Sequence, residues 1–145
     1  PNRVEKLATE DYDAIILAAA GLIRLGMQNH VARYFEPEEM TPAPGQGIIA
    51  VETRADDSEL LSLLAKANDQ DTATAAQIER SFSDRMGGGC MSPTGAYANK
   101  SSDSWSLIGM VLKSDGTILR DTITMPKGTE NELGTTLAEQ LLEMI

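Results

Sequence analysis

Apolar positions along the 145-residue chain change their spacing from one stretch to the next. Val4 and Leu7 are spaced for one helical face within Pro1-Asn2-Arg3-Val4-Glu5-Lys6-Leu7, so the chain opens on what reads as a helix already under way. With no initiator methionine, this predicts a piece of a longer protein. Tyr12-Asp13-Ala14-Ile15-Ile16-Leu17-Ala18 is an apolar run behind acidic turn residues, the pattern of a buried strand. Ala19 to Leu25 then predicts a loop and a short helix stopped at Gly26. Strand followed by helix points to an α/β unit. The stretch from Pro37 to Pro44 sets prolines beside Glu36, Glu38 and Glu39; it cannot continue a helix and reads as a connection between domains.

Gly47-Ile48-Ile49-Ala50-Val51-Glu52-Thr53 is rich in β-formers and predicts one strand. Helical spacing then takes over. Asp57-Ser58 is placed to cap a helix through Leu60, Leu61, Leu63 and Leu64, and Asp71-Thr72 another with Ala75, Ala76, Ile78 and Phe82 on its apolar face. Residues 95–99, 104–113 and 117–124 predict three strands, the last two joined at Ser114-Asp115-Gly116, a strong hairpin signal. From Glu130 onward Leu133, Leu137, Leu141 and Leu142 return to helical spacing. The expected organisation is an α/β fragment over 1–42, a strand or linker over 43–56, and a small α+β domain over 57–145. In that last domain helices cover a three-stranded antiparallel sheet.

Composition narrows the partners. Hydrophobic residues make up 41% of the chain and charged ones 23%, as in a globular protein, but aromatics only 4%, so the core must be aliphatic with Trp105 as its single large anchor. The formal net charge is −10, and the basic residues are scattered without a run or interleaved aromatics, which argues against nucleic acid. An anionic small molecule would need a few locally placed arginines, with Arg3, Arg24, Arg80 and Arg85 the candidates. One histidine and one cysteine disfavour a metal site, and a single cysteine cannot form an internal disulfide. No apolar run reaches the ~18 residues of a membrane span and no signal pattern opens the chain, so a cytoplasmic location is expected.

The one thiol has an unusual setting. Cys90 sits in Gly87-Gly88-Gly89-Cys90-Met91-Ser92-Pro93-Thr94-Gly95, among backbone rather than the large apolar neighbours of a structural cysteine. Glycines permit positive φ and close approach of another molecule, which suits a side chain that meets a ligand. Two other readings stand beside this one: a structural turn within a non-enzymatic binding or assembly module, and a redox or thiol-transfer site. The second lacks a resolving cysteine, and the lone His30 is far away in sequence.

Three separate segments resemble porphobilinogen deaminase, also called hydroxymethylbilane synthase. They are Tyr12 to Gly26 (YDAIILAAAGLIRLG), Pro42 to Glu52 (PAPGQGIIAVE) and Gly88 to Ala98 (GGCMSPTGAYA), in the family's order and spacing. The resemblance covers essentially the whole chain and implies the C-terminal portion of the family. That portion comprises part of the second, periplasmic-binding-protein-like domain, the strand returning to the first domain, and the third domain. It implies a transferase that joins four porphobilinogen molecules head to tail, with loss of ammonia, in tetrapyrrole and haem biosynthesis.

The resemblance further implies that Cys90 carries a dipyrromethane cofactor through a thioether, with Gly89 beside it. Sulfur suits that role because a thiolate is a good nucleophile towards the exocyclic carbon of an activated pyrrole, and the thioether formed is not easily cleaved. Arg3, Arg24 and Gln46 are the other cofactor-binding candidates, facing acetate and propionate groups. The family's catalytic aspartate belongs to the first domain; Asp11, Asp13 and Asp84 do not match it, so no catalytic residue is expected here. These residues alone are therefore expected not to polymerise porphobilinogen. The whole enzyme would be a monomer that binds porphobilinogen and the growing polypyrrole. The piece, lacking the N-terminal domain, is expected to self-associate through the apolar strand at 48–52 or to send 43–54 along an altered path.

Overall fold

The computed structural model describes residues 2–87 and 93–145. It divides into two units, Pro1–Tyr34 and Phe35–Ile145.

In the first unit, helix α1 spans Asn2–Thr9, helix α2 spans Ala19–Arg24, and a turn of 3₁₀ helix spans Gln28–His30. An exposed Lys6–Glu10 ion pair (2.9 Å) bridges one turn at the end of α1. Gly26 ends α2 as expected. With φ at 67° it lets its own N–H reach the Ile23 carbonyl (3.0 Å) and the Met27 N–H reach the Leu22 carbonyl (2.9 Å), a Schellman closure.

Tyr12 to Ala18, expected as a buried strand, is irregular, and Ile16 is 68% exposed. A strand is defined by the ladder it shares with a neighbour, and no strand is described in this unit to provide one. The expected strand at 47–53, in the second unit, is irregular too, with Ile49 77% and Val51 67% exposed. Residues 43–47 are held in place, as set out below, but 48–53 join no sheet.

The second unit carries helix α3 (Ser58–Leu64), helix α4 (Gln70–Arg85), strands β1 (Thr94–Lys100), β2 (Ser104–Leu112) and β3 (Ile118–Pro126), and helix α5 (Glu130–Leu142). Asp57 caps α3, accepting the Leu60 N–H at 3.1 Å. Helix α4 starts earlier than its sequence suggests: Asp69, rather than Asp71, is the cap and accepts the Thr72 N–H at 2.8 Å. Asp71 lies in the first turn and pairs instead with Lys100 (2.5 Å).

The sheet has the expected three-stranded antiparallel order β1-β2-β3. At its hairpin Gly116 takes φ 85°, and the Asp115 carboxylate accepts the Thr117 N–H at 2.9 Å. Alternation sends Ala96, Ala98, Trp105, Leu107, Ile123 and Met125 to the face packed under α4 and α5. There they meet Ile78 and Phe82 of α4 and Leu133, Leu137, Ala138 and Leu141 of α5; the core is mostly aliphatic, but Trp105 is not its single large anchor, since Phe82 is fully buried beside it.

Two glycines allow that packing. A Cβ at Gly134 would lie 1.9 Å from the Ser81 hydroxyl and 2.4 Å from the Ile78 carbonyl, where α4 and α5 touch. A Cβ at Gly109 would lie 2.7 Å from both Phe82 and Leu137.

The segment at 36–47 runs over the opposite face and the outer edge of β1. Gly95, Met110 and Arg120 form one cross-strand row. The Arg120 guanidinium donates to the Glu38 carbonyl (2.6 Å) and the Glu39 carbonyl (3.3 Å). At the other end of the row a Cβ on Gly95 would meet the Thr41 carbonyl at 2.9 Å, so only glycine lets the chain lie this close. The Ala96 N–H then donates to the Pro42 carbonyl (2.9 Å), so part of the β1 edge is already paired.

Candidate functional site

The glycine loop joins the C-terminus of α4 to the N-terminus of β1. Met86 caps α4 and packs against the core, and Gly87 follows with φ 77°. On the far side the Pro93 carbonyl accepts the Leu112 N–H (2.9 Å), tying the start of β1 to β2. Cys90 and Gly89 lie outside the described residues.

A side chain that the sequence reading missed joins the two stems of the loop. Glu79 of α4 is buried, only 5% exposed, with both oxygens occupied: one accepts the Ala98 N–H of β1 (2.9 Å) and the other the Gly45 N–H (2.7 Å). Its helical neighbours at three and four residues are Ala75, Ala76, Phe82 and Ser83, none charged. Burial without a cation raises its pKa above the ordinary 4.5, and the two backbone donors only partly offset this. The available signal was a glutamate directly beside Ile78, on the edge of the helix's apolar face.

The remaining expected residues fall in different places. Arg3 on α1 lines a cleft of ≈ 380 Å³ in the first unit, with Lys6 and Tyr12 over the run from Ala14 to Leu17. Of its two cations, Lys6 is the one paired with Glu10 (2.9 Å). Arg24 is exposed in the last turn of α2. Gln46 belongs to the second unit; its side chain is exposed and its N–H closes a turn onto the Ala43 carbonyl (3.0 Å), between Gly45 (φ 76°) and Gly47 (φ 87°). Arg85 is engaged with Glu139 (3.1 Å), and Arg80 lines an open groove on α4 with Gln77, Ser81 and Asp84. Among the described residues no cluster of three metal-ligating side chains occurs, and no helix is long and apolar enough to cross a membrane.

Comparison with known proteins places this architecture. A family model described as porphobilinogen deaminase, dipyromethane cofactor binding domain, matches residues 1–62. A second, described as porphobilinogen deaminase, C-terminal domain, matches residues 73–143. The chain belongs to the porphobilinogen deaminase family. It is 45% identical over 145 residues to porphobilinogen deaminase of Roseiflexus sp. (strain RS-1), covering 98% of this chain and 47% of that protein. It is 42% identical over 143 residues to the enzyme of that name from Coxiella burnetii (strain RSA 331 / Henzerling II), with the same coverage. The chain thus spans about half the length of the curated porphobilinogen deaminases it matches. The first family model runs on to residue 62, so it includes the 36–47 segment that the structure fastens to the C-terminal sheet.

Proposed function

We propose that the chain is the C-terminal portion of a hydroxymethylbilane synthase, a transferase that condenses four porphobilinogen molecules head to tail with release of ammonia. The observation that carries this reading is the tandem match of two porphobilinogen deaminase family models over 1–62 and 73–143, the second of which contains the chain's only thiol in its glycine loop.

In this reading Cys90 holds a dipyrromethane through a thioether, with Gly89 its neighbour in sequence. When bound, that group supplies the pyrrole terminus to which each substrate unit is joined. The chain's own residues bind and orient. Arg3, at the cleft it shares with Lys6, pairs with acidic side groups of the cofactor; Arg24 contributes a second cation and Gln46 a neutral hydrogen-bonding group. A thioether suits a permanent anchor because it has no easily ionised leaving group, so Cys90 is held through turnover rather than used in each cycle. Residues 1–42 belong, on this reading, to a periplasmic-binding-protein-like α/β domain, and 48–52 to a strand that pairs with a further domain.

The test is the mass of the tryptic peptide Met86 to Lys100, with Cys90 its sole thiol, from the protein produced in cells that make porphobilinogen. An added mass equal to a dipyrromethane, absent from Cys90→Ser, is expected. A bare thiol in a folded protein would instead favour a non-enzymatic module with a structural cysteine turn. The 145 residues alone are expected to form no hydroxymethylbilane from porphobilinogen.

A further inference from the structure

Residues 36–47 have the composition of a connecting segment, with three prolines and two glycines. Their contacts are those of a strap. The upstream part is held from the sheet face by Arg120 through the Glu38 and Glu39 carbonyls, and the middle by the Ala96–Pro42 hydrogen bond over Gly95. The downstream part is held by one side chain, Glu79, through the Gly45 N–H. The same carboxylate holds the Ala98 N–H on the β1 edge, two residues beyond the N–H that takes Pro42. The edge of β1 and the turn after Pro42 are therefore closed by a single group. That group has no helical charge partner and is buried, so its place is fixed by its two backbone donors.

We propose that Glu79 is the latch of this strap: its carboxylate fixes the 43–47 turn, and with it the backbone that presents Gln46, against the edge of β1, and losing it frees the turn while the helix-covered core stays folded. Glu79 is thus a positioning residue acting through Gly45. The consequence for Gln46 as a cofactor-binding group rests on the proposed function; the latch itself does not.

The test is residue-resolved amide hydrogen exchange on the 145-residue chain and on its Glu79→Gln, Glu79→Ala and Arg120→Ala variants. Hydrogen bonds to a charged acceptor are worth enough that losing one accelerates local exchange by about tenfold or more. Glu79→Ala is expected to speed exchange at both Gly45 and Ala98 by at least that factor, with Leu107 and Leu137 amides within about twofold of the parent. Glu79→Gln keeps the shape but replaces one acceptor by a donor, and is expected to expose at least one of the two amides. Arg120→Ala is expected to leave Gly45 protected. Unchanged exchange at Gly45 and Ala98 in both Glu79 variants would overturn the latch. So would a parallel rise at Leu107 and Leu137 in Glu79→Gln, which would make Glu79 a general support of the core. Because the readout does not involve Cys90, a negative result here and a bare thiol in the mass measurement are separate failures.

Discussion

At the scale of single residues, the tightest demand falls on Gly134, where α5 crosses α4 with no room for a methyl group. The nearest atoms include the Ile78 carbonyl and the Phe82 backbone nitrogen, which cannot turn aside as a side chain can. Gly134→Ala is expected to lose roughly 1–3 kcal/mol in urea unfolding, the usual cost of overpacking. Leu137→Ala, which empties a fully buried site, should lose about 2–5 kcal/mol. Glu79 makes a prediction of opposite sign to most carboxylates. Its folded-state pKa lies above 4.5, so the folded chain keeps a proton over a range in which the unfolded chain has released it. Its contribution is complete below 4.5 and is lost as pH rises through the raised value, a slope that Glu79→Gln should remove from stability measured against pH.

At the scale of elements, Asp69 and Asp115 act the other way. Each accepts a backbone N–H, at the start of α4 and in the β2–β3 hairpin, and each has its pKa lowered chiefly by that bond. Their stabilisation is present above 3.8 and is lost as pH falls through the lowered values. Thermal melts near neutral pH should show Asp69→Ala lowering the midpoint more than Asp71→Ala, because only Asp69 caps the helix.

The sequence made most of the second unit legible, since its signals are local. Alternation along 104–113, the Asp-Gly turn and the leucines of α5 each need only nearby residues to be read. The start of α4 was placed two residues late because Asp69 and Asp71 are equally good caps in isolation. Of the Glu79 clasp only the glutamate on the edge of an apolar helical face was legible, not what it holds. Its partners are main-chain N–H groups far away in sequence, and any residue but proline can supply those.

At the scale of the whole molecule, the apolar runs at 12–18 and 48–53 carried strand signals but adopt no strand, because period and propensity say nothing of whether a partner lies alongside. Ile49 and Val51 are left in solvent as a result. Sedimentation equilibrium of the 145-residue chain is expected to show concentration-dependent self-association, relieved by Ile49→Lys with Val51→Lys. A single monomeric species in the parent chain would remove that expectation. Within the site, Cys90 and its glycines were conspicuous because a lone thiol among backbone stands out in any sequence. Arg3 and Arg24 rest on resemblance, since one arginine on a helix looks like any other.

Two of the three fastenings of the strap also bear on how the chain tolerates changes in length. Proline-rich connections between domains are ordinarily where insertions and deletions accumulate. Here Glu39 is pinned by Arg120 and Gly45 by Glu79, and each added or removed residue shifts an extended chain by about 3.3 Å, more than either hydrogen bond can follow. Homologous chains that keep both pins should therefore vary hardly at all in residue number between these points, whereas gaps should gather after Gly47, where the backbone is no longer held.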